Sequence, residues 1–182
     1  MNKKQEIFTI PNLLSFFRLL LIPVIVWLYS VKQAEVLTLL ILILSAVTDM
    51  ADGYIARKWN MVSDLGKALD PVADKLTQVA TLGCLLGRYP YIWPVLGILV
   101  VKEILTGIMS LYAVKVSGQV RGADWHGKLC TVLLSGTMGL HILWAGIPKA
   151  LSVGLLILCT AVMLMSGVLY SCRHLNQIKR YS

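Results

Sequence analysis

Four carboxylates stand at fixed intervals in sequence that is otherwise strongly apolar. Asp49 and Asp52 are three residues apart, and Asp70 and Asp74 are four apart. At helical spacing each pair shares one face, and the four converge if the two helices pack side by side. Ionised carboxylates in apolar surroundings are costly and mark function. Hard divalent cations take oxygen ligands, and two such ions can be bridged by shared carboxylates. The pattern therefore points to a divalent metal site at a membrane surface, and metal there points to phosphate chemistry. Gly53 and Ala56 follow on nearly the same stripe, where small residues let a ligand or helix approach the backbone closely. Arg57 brings a fork of donors suited to a phosphate. Gly66 suits a turn or tight packing between the two helices. Pro71 places Asp70 either near a helix N-cap or beside a kink. The alternative is a solvated loop whose acids pair with Arg57, Lys58, Lys67 and Lys75; four acids and two small residues at this spacing disfavour it.

Long apolar elements must position these groups. The chain has 182 residues, 57% of them hydrophobic and 14% charged, against about 45–50% and about 25% for a soluble domain. This composition predicts an all-α integral membrane protein. A spanning helix needs about 20 apolar residues, and six stretches qualify: 11–30, 36–57, 67–87, 91–114, 126–146 and 150–172. The breaks fall at Lys32 to Glu35, Arg57 to Gly66, Arg88 to Pro90, Lys115 to Asp124 and Ile147 to Lys149. With the N-terminus inside, the cytoplasmic segments hold Lys3, Lys4, Arg57, Lys58, Lys115, Arg121, Arg173, Lys179 and Arg180, whereas the outer turns hold only Lys32, Arg88 and Lys149. The positive-inside rule then gives six transmembrane helices, N-in and C-in, with the acids at the cytoplasmic ends of the second and third. Residues 1–10 alternate polar and apolar and suit a short interfacial helix. The first apolar run is too long for a signal-peptide core and has no small-residue cleavage site. One membrane domain over 1–182 is expected, without internal repeats. The net charge of +8 forms no basic face, so nucleic acid is not an expected partner. Cys84, Cys130, Cys159 and Cys172 lack metal-ligand spacing and read as small buried hydrophobes.

The spacing Asp49-x2-Asp52-Gly53-x2-Ala56-Arg57-x8-Gly66-x3-Asp70-x3-Asp74 resembles the signature of the CDP-alcohol phosphatidyltransferase family at every fixed position. The six-helix pattern extends the resemblance over nearly the whole chain. The resemblance implies two divalent ions, Mg2+ with Mn2+ as an alternative, held by Asp49, Asp52 and Asp70. It implies that Asp74 is both a ligand and the general base. Asp52, Gly53, Ala56, Arg57 and Gly66 are then donor-binding, the donor being CDP-diacylglycerol and the leaving group CMP. The opening stretch Pro11-Asn12-Leu-Leu-Ser15-Phe-Phe-Arg18 resembles that of several family branches, where Asn12 and Arg18 hold donor phosphates; Arg18 is otherwise a snorkelling residue. A homodimer in a bacterial inner membrane, with the site facing the cytoplasm, completes the expectation.

For the acceptor, the residues themselves offer cations: Lys75, Lys102, Arg121, His126 and Lys128. Lys102 beside Glu103 is either a ligand contact or an intramembrane ion pair. His126 suits an interfacial polar role, and His141, deep in the fifth helix, a hydrogen-bonded structural one. Lys128 stands where several family members place a lysine near the acceptor pocket. The stretch from Leu65 to Lys75 resembles the phosphatidylglycerophosphate synthase branch, whose acceptor is glycerol 3-phosphate. It also resembles cardiolipin synthases, whose acceptor is phosphatidylglycerol. Inositol phosphate and serine branches remain alternatives. From another class, a cation transporter needs acids near the midplane and an inverted repeat, neither of which is present.

Overall fold

Apolar runs of this length satisfy their own backbone only as helices, and the chain folds accordingly. The computed structural model describes residues 10–58, 64–117 and 124–181, and the side chains of 10–11, 52–53, 55–57, 64–68, 117 and 179–181 lie outside that description. Among the described residues there are six long helices and no strand: α1 Ile10–Ser30, α2 Glu35–Lys58, α3 Asp64–Leu85, α4 Trp93–Ser117, α5 Trp125–Leu143 and α6 Lys149–Tyr181, with a 3-10 turn at Pro90–Ile92. Three segments among the described residues are long and apolar enough to cross a membrane: Asn12–Ser30, Pro90–Val116 and Lys149–Ile178. In α2 and α3 the aspartates and basic residues lower the apolar content. Large apolar side chains such as Leu20 and Trp27 on α1, Ile108 and Leu111 on α4, and Ile157 and Val168 on α6 are exposed. Outward-facing apolar surface on such helices marks a membrane protein.

Two boundaries differ from the sequence expectation, and the open choice at Asp70 and Pro71 is narrowed. α3 begins at Asp64, so Gly66 lies in its first turn rather than in the break. Pro71 is inside α3, so Asp70 is not an N-cap. α6 continues past residue 172 to Tyr181, because Arg173 and His174 are charged or polar without breaking a helix. At 33 residues it is about 50 Å long, more than a hydrocarbon core of about 30 Å. The interfacial helix expected for residues 1–10 lies outside the described residues, apart from Ile10 at the start of α1.

The chain forms two compact units, Met1–Cys84 and Leu85–Ser182. In the first, α1 packs on α2. One face of α1 is buried along its length and changes character midway: Asn12, Ser15 and Arg18, then Leu21, Ile25 and Leu28. The apolar half anchors the helix, and the polar half brings Ser15 and Arg18 to aspartates of α2 and α3. The chain turns into α2 through Gln33, whose φ of 50° is left-handed, with the Ala34 N–H donating to the Leu28 carbonyl at 3.0 Å.

In the second unit, α4 and α5 each pack on α6. Its core includes Leu99 of α4, Cys130, Leu134, Met138 and Ile142 of α5, and Leu156, Cys159 and Met163 of α6. Cys130 and Cys159 are small buried hydrophobes as expected; Cys172 is exposed, because it falls on the outer face of α6. His141 is fully buried and structural. Its Nδ1–H donates to the Thr137 carbonyl at 2.7 Å, which leaves Nε2 to accept from the Ser152 hydroxyl at 2.6 Å. The Tyr91 hydroxyl reaches the same Ser152 oxygen at 3.1 Å. The Tyr89 hydroxyl lies 3.1–3.4 Å from the carbonyls of His141, Trp144 and Ala145. The His141 carbonyl is one of the orphan acceptors at the end of α5, whereas those of Trp144 and Ala145 lie in the turn that follows.

Replacing His141 by Ala strips Ser152 of a buried partner, which costs about 1–3 kcal/mol. The expected outcome is a lower apparent Tm in detergent with turnover per folded molecule preserved. Turnover lost at unchanged Tm contradicts the structural role.

Candidate functional site

In an apolar helix a polar residue every third position is exceptional, and α1 has three: Asn12, Ser15 and Arg18. All three are buried, Arg18 to 2% exposure. A buried guanidinium requires anions, and the neighbouring helices supply them. Arg18 Nη1 donates to Asp49 Oδ1 of α2, and Nη2 donates to Asp70 Oδ1 of α3 at 3.1 Å. The Ser15 hydroxyl donates to the same Asp70 oxygen. One fork thus spans two carboxylates from two helices, a geometry that lysine's single ammonium does not reproduce. The aspartates themselves look outward, with side-chain exposures of 48% for Asp49 and 37% for Asp70. The cation forms the floor and the carboxylates form the rim.

Asp74 lies one turn beyond Asp70 on α3. Gln78 Nε2 donates to both its oxygens at 3.3 Å, and Lys75 Nζ lies 3.4 Å from Oδ2. Ala73 between the acids is fully buried and seats this turn. Asp52, Gly53, Ala56 and Arg57 belong to α2, but their side chains lie outside the described residues, as does that of Gly66. Arg121 lies outside them altogether. Lys102 is paired, its Nζ 2.6 Å from Glu103 Oε1 and its side chain 10% exposed. Lys128 is exposed on the first turn of α5. His126 is buried, with Ser166 and Asp124 at its ring nitrogens.

Sequence reasoning gave Arg18 to donor phosphate or to snorkelling; the fold adds its pairing with Asp49 and Asp70. It missed the hydroxyl of Ser15 and the amide of Gln78. The signals were present: Ser15 is midway between Asn12 and Arg18 at three-residue steps, and Gln78 is four residues from Asp74.

Among the described residues, no three of His, Cys, Asp and Glu stand close enough to form a metal-holding group; Asp52 is not among the described side chains. The donor set nevertheless fits a divalent ion in its chemistry. The donors are hard carboxylate oxygens, two of them are already drawn to one cationic centre, and Ser15 orients one from behind as an outer-shell partner does.

Replacing Arg18 by Met leaves Asp49 and Asp70 without their shared cation. Because both carboxylates are partly exposed, the cost falls below the about 3–5 kcal/mol of a fully buried pair. The variant should melt below the wild type in chelator, and millimolar Mg2+ or Mn2+ should narrow the gap by mass action. A gap that divalent ions leave unchanged contradicts Asp49 and Asp70 as metal-holding residues.

Comparison with known proteins gives the family of the chain. The family model for CDP-alcohol phosphatidyltransferases matches residues 8–169. The chain is 33% identical over 142 residues to a CDP-diacylglycerol–glycerol-3-phosphate 3-phosphatidyltransferase of Haemophilus influenzae, covering 75% of this chain and 76% of the relative. An enzyme of the same name from Salmonella typhimurium is 33% identical over 129 residues, 68% of this chain and 71% of the relative. A cardiolipin synthase (CMP-forming) of Streptomyces coelicolor is 43% identical over 83 residues, 43% of this chain and 39% of that protein. The family generally depends on a divalent metal. An enzyme family replaces the transporter alternative: with the match running through all three helices that carry the aspartates and Arg18, the chain belongs to the CDP-alcohol phosphatidyltransferases.

Proposed function

We propose that this chain is a single-domain membrane enzyme, working as a homodimer, that transfers the phosphatidyl group of CDP-diacylglycerol to the hydroxyl of glycerol 3-phosphate and releases CMP. The observation that carries it is the meeting of Asp49 and Asp70, from two helices, on the buried Arg18. Carboxylates gathered in this way suit the counter-ions of a diphosphate, and the acceptor follows the names of the Haemophilus and Salmonella relatives. The six helices are six spans, with both termini and the aspartates on the cytoplasmic side of a bacterial inner membrane. The distribution of basic residues supports this orientation. A water-soluble headgroup and a bilayer-anchored donor meet most readily at such an edge.

Asp49, Asp52, Asp70 and Asp74 hold two Mg2+ ions, for which Mn2+ can substitute. When bound, the metal supplies neutralisation of the diphosphate and of the departing CMP. Asn12, Arg18, Asp52, Gly53, Ala56, Arg57 and Gly66 bind the donor. Asp74 takes the proton of the acceptor hydroxyl as its oxygen attacks the lipid-side phosphorus. The bond from that phosphorus to the CMP oxygen breaks, and CMP leaves with the electron pair. Gln78 fixes the orientation of the base by donating to both its oxygens. Lys75, Lys102, Arg121 and Lys128 are the acceptor cations; Lys75 stands beside Asp74 and Lys102 beside Glu103. The Streptomyces relative favours a second reading, a cardiolipin synthase with phosphatidylglycerol as acceptor.

CMP release by the purified protein with CDP-diacylglycerol, Mg2+ and a panel of glycerol 3-phosphate, phosphatidylglycerol, inositol phosphate and serine tests these readings. Release with glycerol 3-phosphate alone is expected; release with phosphatidylglycerol instead gives the second reading. Asp74→Asn should lower turnover by about 10²–10⁴-fold, and wild-type-like turnover there defeats the base assignment. Ser15→Ala should raise the Mg2+ concentration for half-maximal activity about tenfold or more. An unchanged metal requirement defeats the outer-shell role of Ser15.

A further inference from the structure

The first turn of α5 is gripped by α6 through contacts that the aspartate site does not use. Asp124 precedes α5 in extended conformation, at the position where an aspartate ordinarily caps the helix with its side chain, yet it makes no such bond. Its carboxylate takes the Arg173 guanidinium instead and lies 3.3 Å from His126 Nε2. The Asp124 N–H donates to the Tyr170 hydroxyl at 3.1 Å. With the Nε2–H of His126 toward the carboxylate, Nδ1 accepts from the Ser166 hydroxyl at 3.1 Å. The Arg173 guanidinium also lies over the Tyr170 ring, 5.8 Å from its centroid, and the His126 ring meets the same ring edge-on at 4.5 Å.

Gly127 admits the tyrosine. A Cβ there would lie 3.1 Å from two ring carbons of Tyr170 and closer still to its hydroxyl. The Asp124 carbonyl accepts the backbone N–H groups of Gly127 at 3.1 Å and Lys128 at 3.3 Å. Asp124 therefore ties its side chain to α6 and its carbonyl to the turn that carries Lys128.

The hydrogen bond from Arg173 holds the Asp124 carboxyl below the usual carboxylate range, against the opposing effect of burial, so the pair stays ionised at neutral pH. Among the described residues, the other titratable groups facing Asp124 are His126 on α5 and Tyr170 and His174 on α6.

We propose that Arg173, Asp124 and Tyr170 are positioning residues that lock the first turn of α5 on α6 and so aim the Lys128 ammonium at the acceptor's phosphate. This rests on Lys128 being an acceptor contact, as given under the proposed function. None of the three needs to touch substrate. A helix cap given up for a tie to another helix is what a positional task requires. A free first turn lets Lys128 sample many directions, and a misplaced contact weakens binding of the acceptor without changing the chemical step.

The test is steady-state kinetics of the full chain with CDP-diacylglycerol and glycerol 3-phosphate, for Arg173→Ala, Arg173→Lys, Tyr170→Phe, Lys128→Ala and the double variant of Arg173→Ala with Lys128→Ala. Arg173→Ala should raise KM for glycerol 3-phosphate about tenfold, with kcat and the donor KM within about twofold of wild type. Arg173→Lys should recover most of this, because it restores the charge opposite Asp124. Tyr170→Phe, which removes one oxygen and no charge, should move the same KM in the same direction. Adding Arg173→Ala to Lys128→Ala should change nothing further, since the effect passes through the lysine.

Loss of kcat at unchanged acceptor KM, or a full additional loss in the double variant, overturns the proposal by making Arg173 merely structural. If Arg173→Ala does not fold, Tyr170→Phe decides, and an unchanged acceptor KM there overturns the proposal. If Lys128→Ala raises the acceptor KM but Arg173→Ala leaves it at the wild-type value, only the clamp fails. If Lys128→Ala leaves the acceptor KM unchanged, the acceptor assignment of Lys128 fails and the clamp's task fails with it.

Discussion

A guanidinium at 2% exposure in an apolar helix bundle needs counter-charge within hydrogen-bond reach, and Arg18 finds it on two other helices. Asp49 and Asp70 gain from the arginine in turn, because two carboxylates brought close disfavour each other's ionised form unless a cation stands between them. The mutual requirement fixes three elements at once: α1 by Arg18, α2 by Asp49 and α3 by Asp70. Ser15 adds a second donor to Asp70 and takes one rotational freedom from it. The apolar half of the same α1 face, Leu21, Ile25 and Leu28, supplies the burial that keeps Arg18 in place.

The second unit repeats the device with different parts. Asp124 and Arg173 lie 49 residues apart and join the entry of α5 to α6, while Tyr170 and Gly127 set how closely the two elements approach. In both units the core stripes are ordinary, Leu, Ile and Met at helical intervals, and the polar ties sit at the ends where an element must be aimed rather than merely packed. That division matches a membrane enzyme: apolar packing against lipid is unspecific in direction, so ion pairs and hydrogen bonds set the geometry that chemistry needs.

The sequence made the helices and the acids legible because both are local patterns. Apolar runs of about 20 residues and aspartates at three- and four-residue spacing need no knowledge of the fold. The pairing of Arg18 was not legible, since its partners are 31 and 52 residues away. A lone arginine in an apolar helix reads equally well as a snorkelling or phosphate-binding residue. Ser15 was hidden because a serine in an apolar run carries no charge to draw attention. The start of α3 is hidden because Gly66 looks like punctuation, and Pro71 leaves a first turn and a kink equally open, whereas it removes only one backbone donor and the helix continues through it. Asp124 and Arg173 were counted as topology markers, one in a break and one at a helix end, and only the packing of α5 on α6 shows them to be a pair.

The central claim is that the aspartates around Arg18 are the place where metal and diphosphate meet. Anomalous scattering from crystals grown with Mn2+ and CDP-diacylglycerol tests it most directly. Manganese peaks among the carboxylates of Asp49, Asp52, Asp70 and Asp74, with the diphosphate beside them, are the predicted result. Manganese bound elsewhere, with Arg18 still closed on Asp49 and Asp70 and the donor's diphosphate away from them, contradicts it.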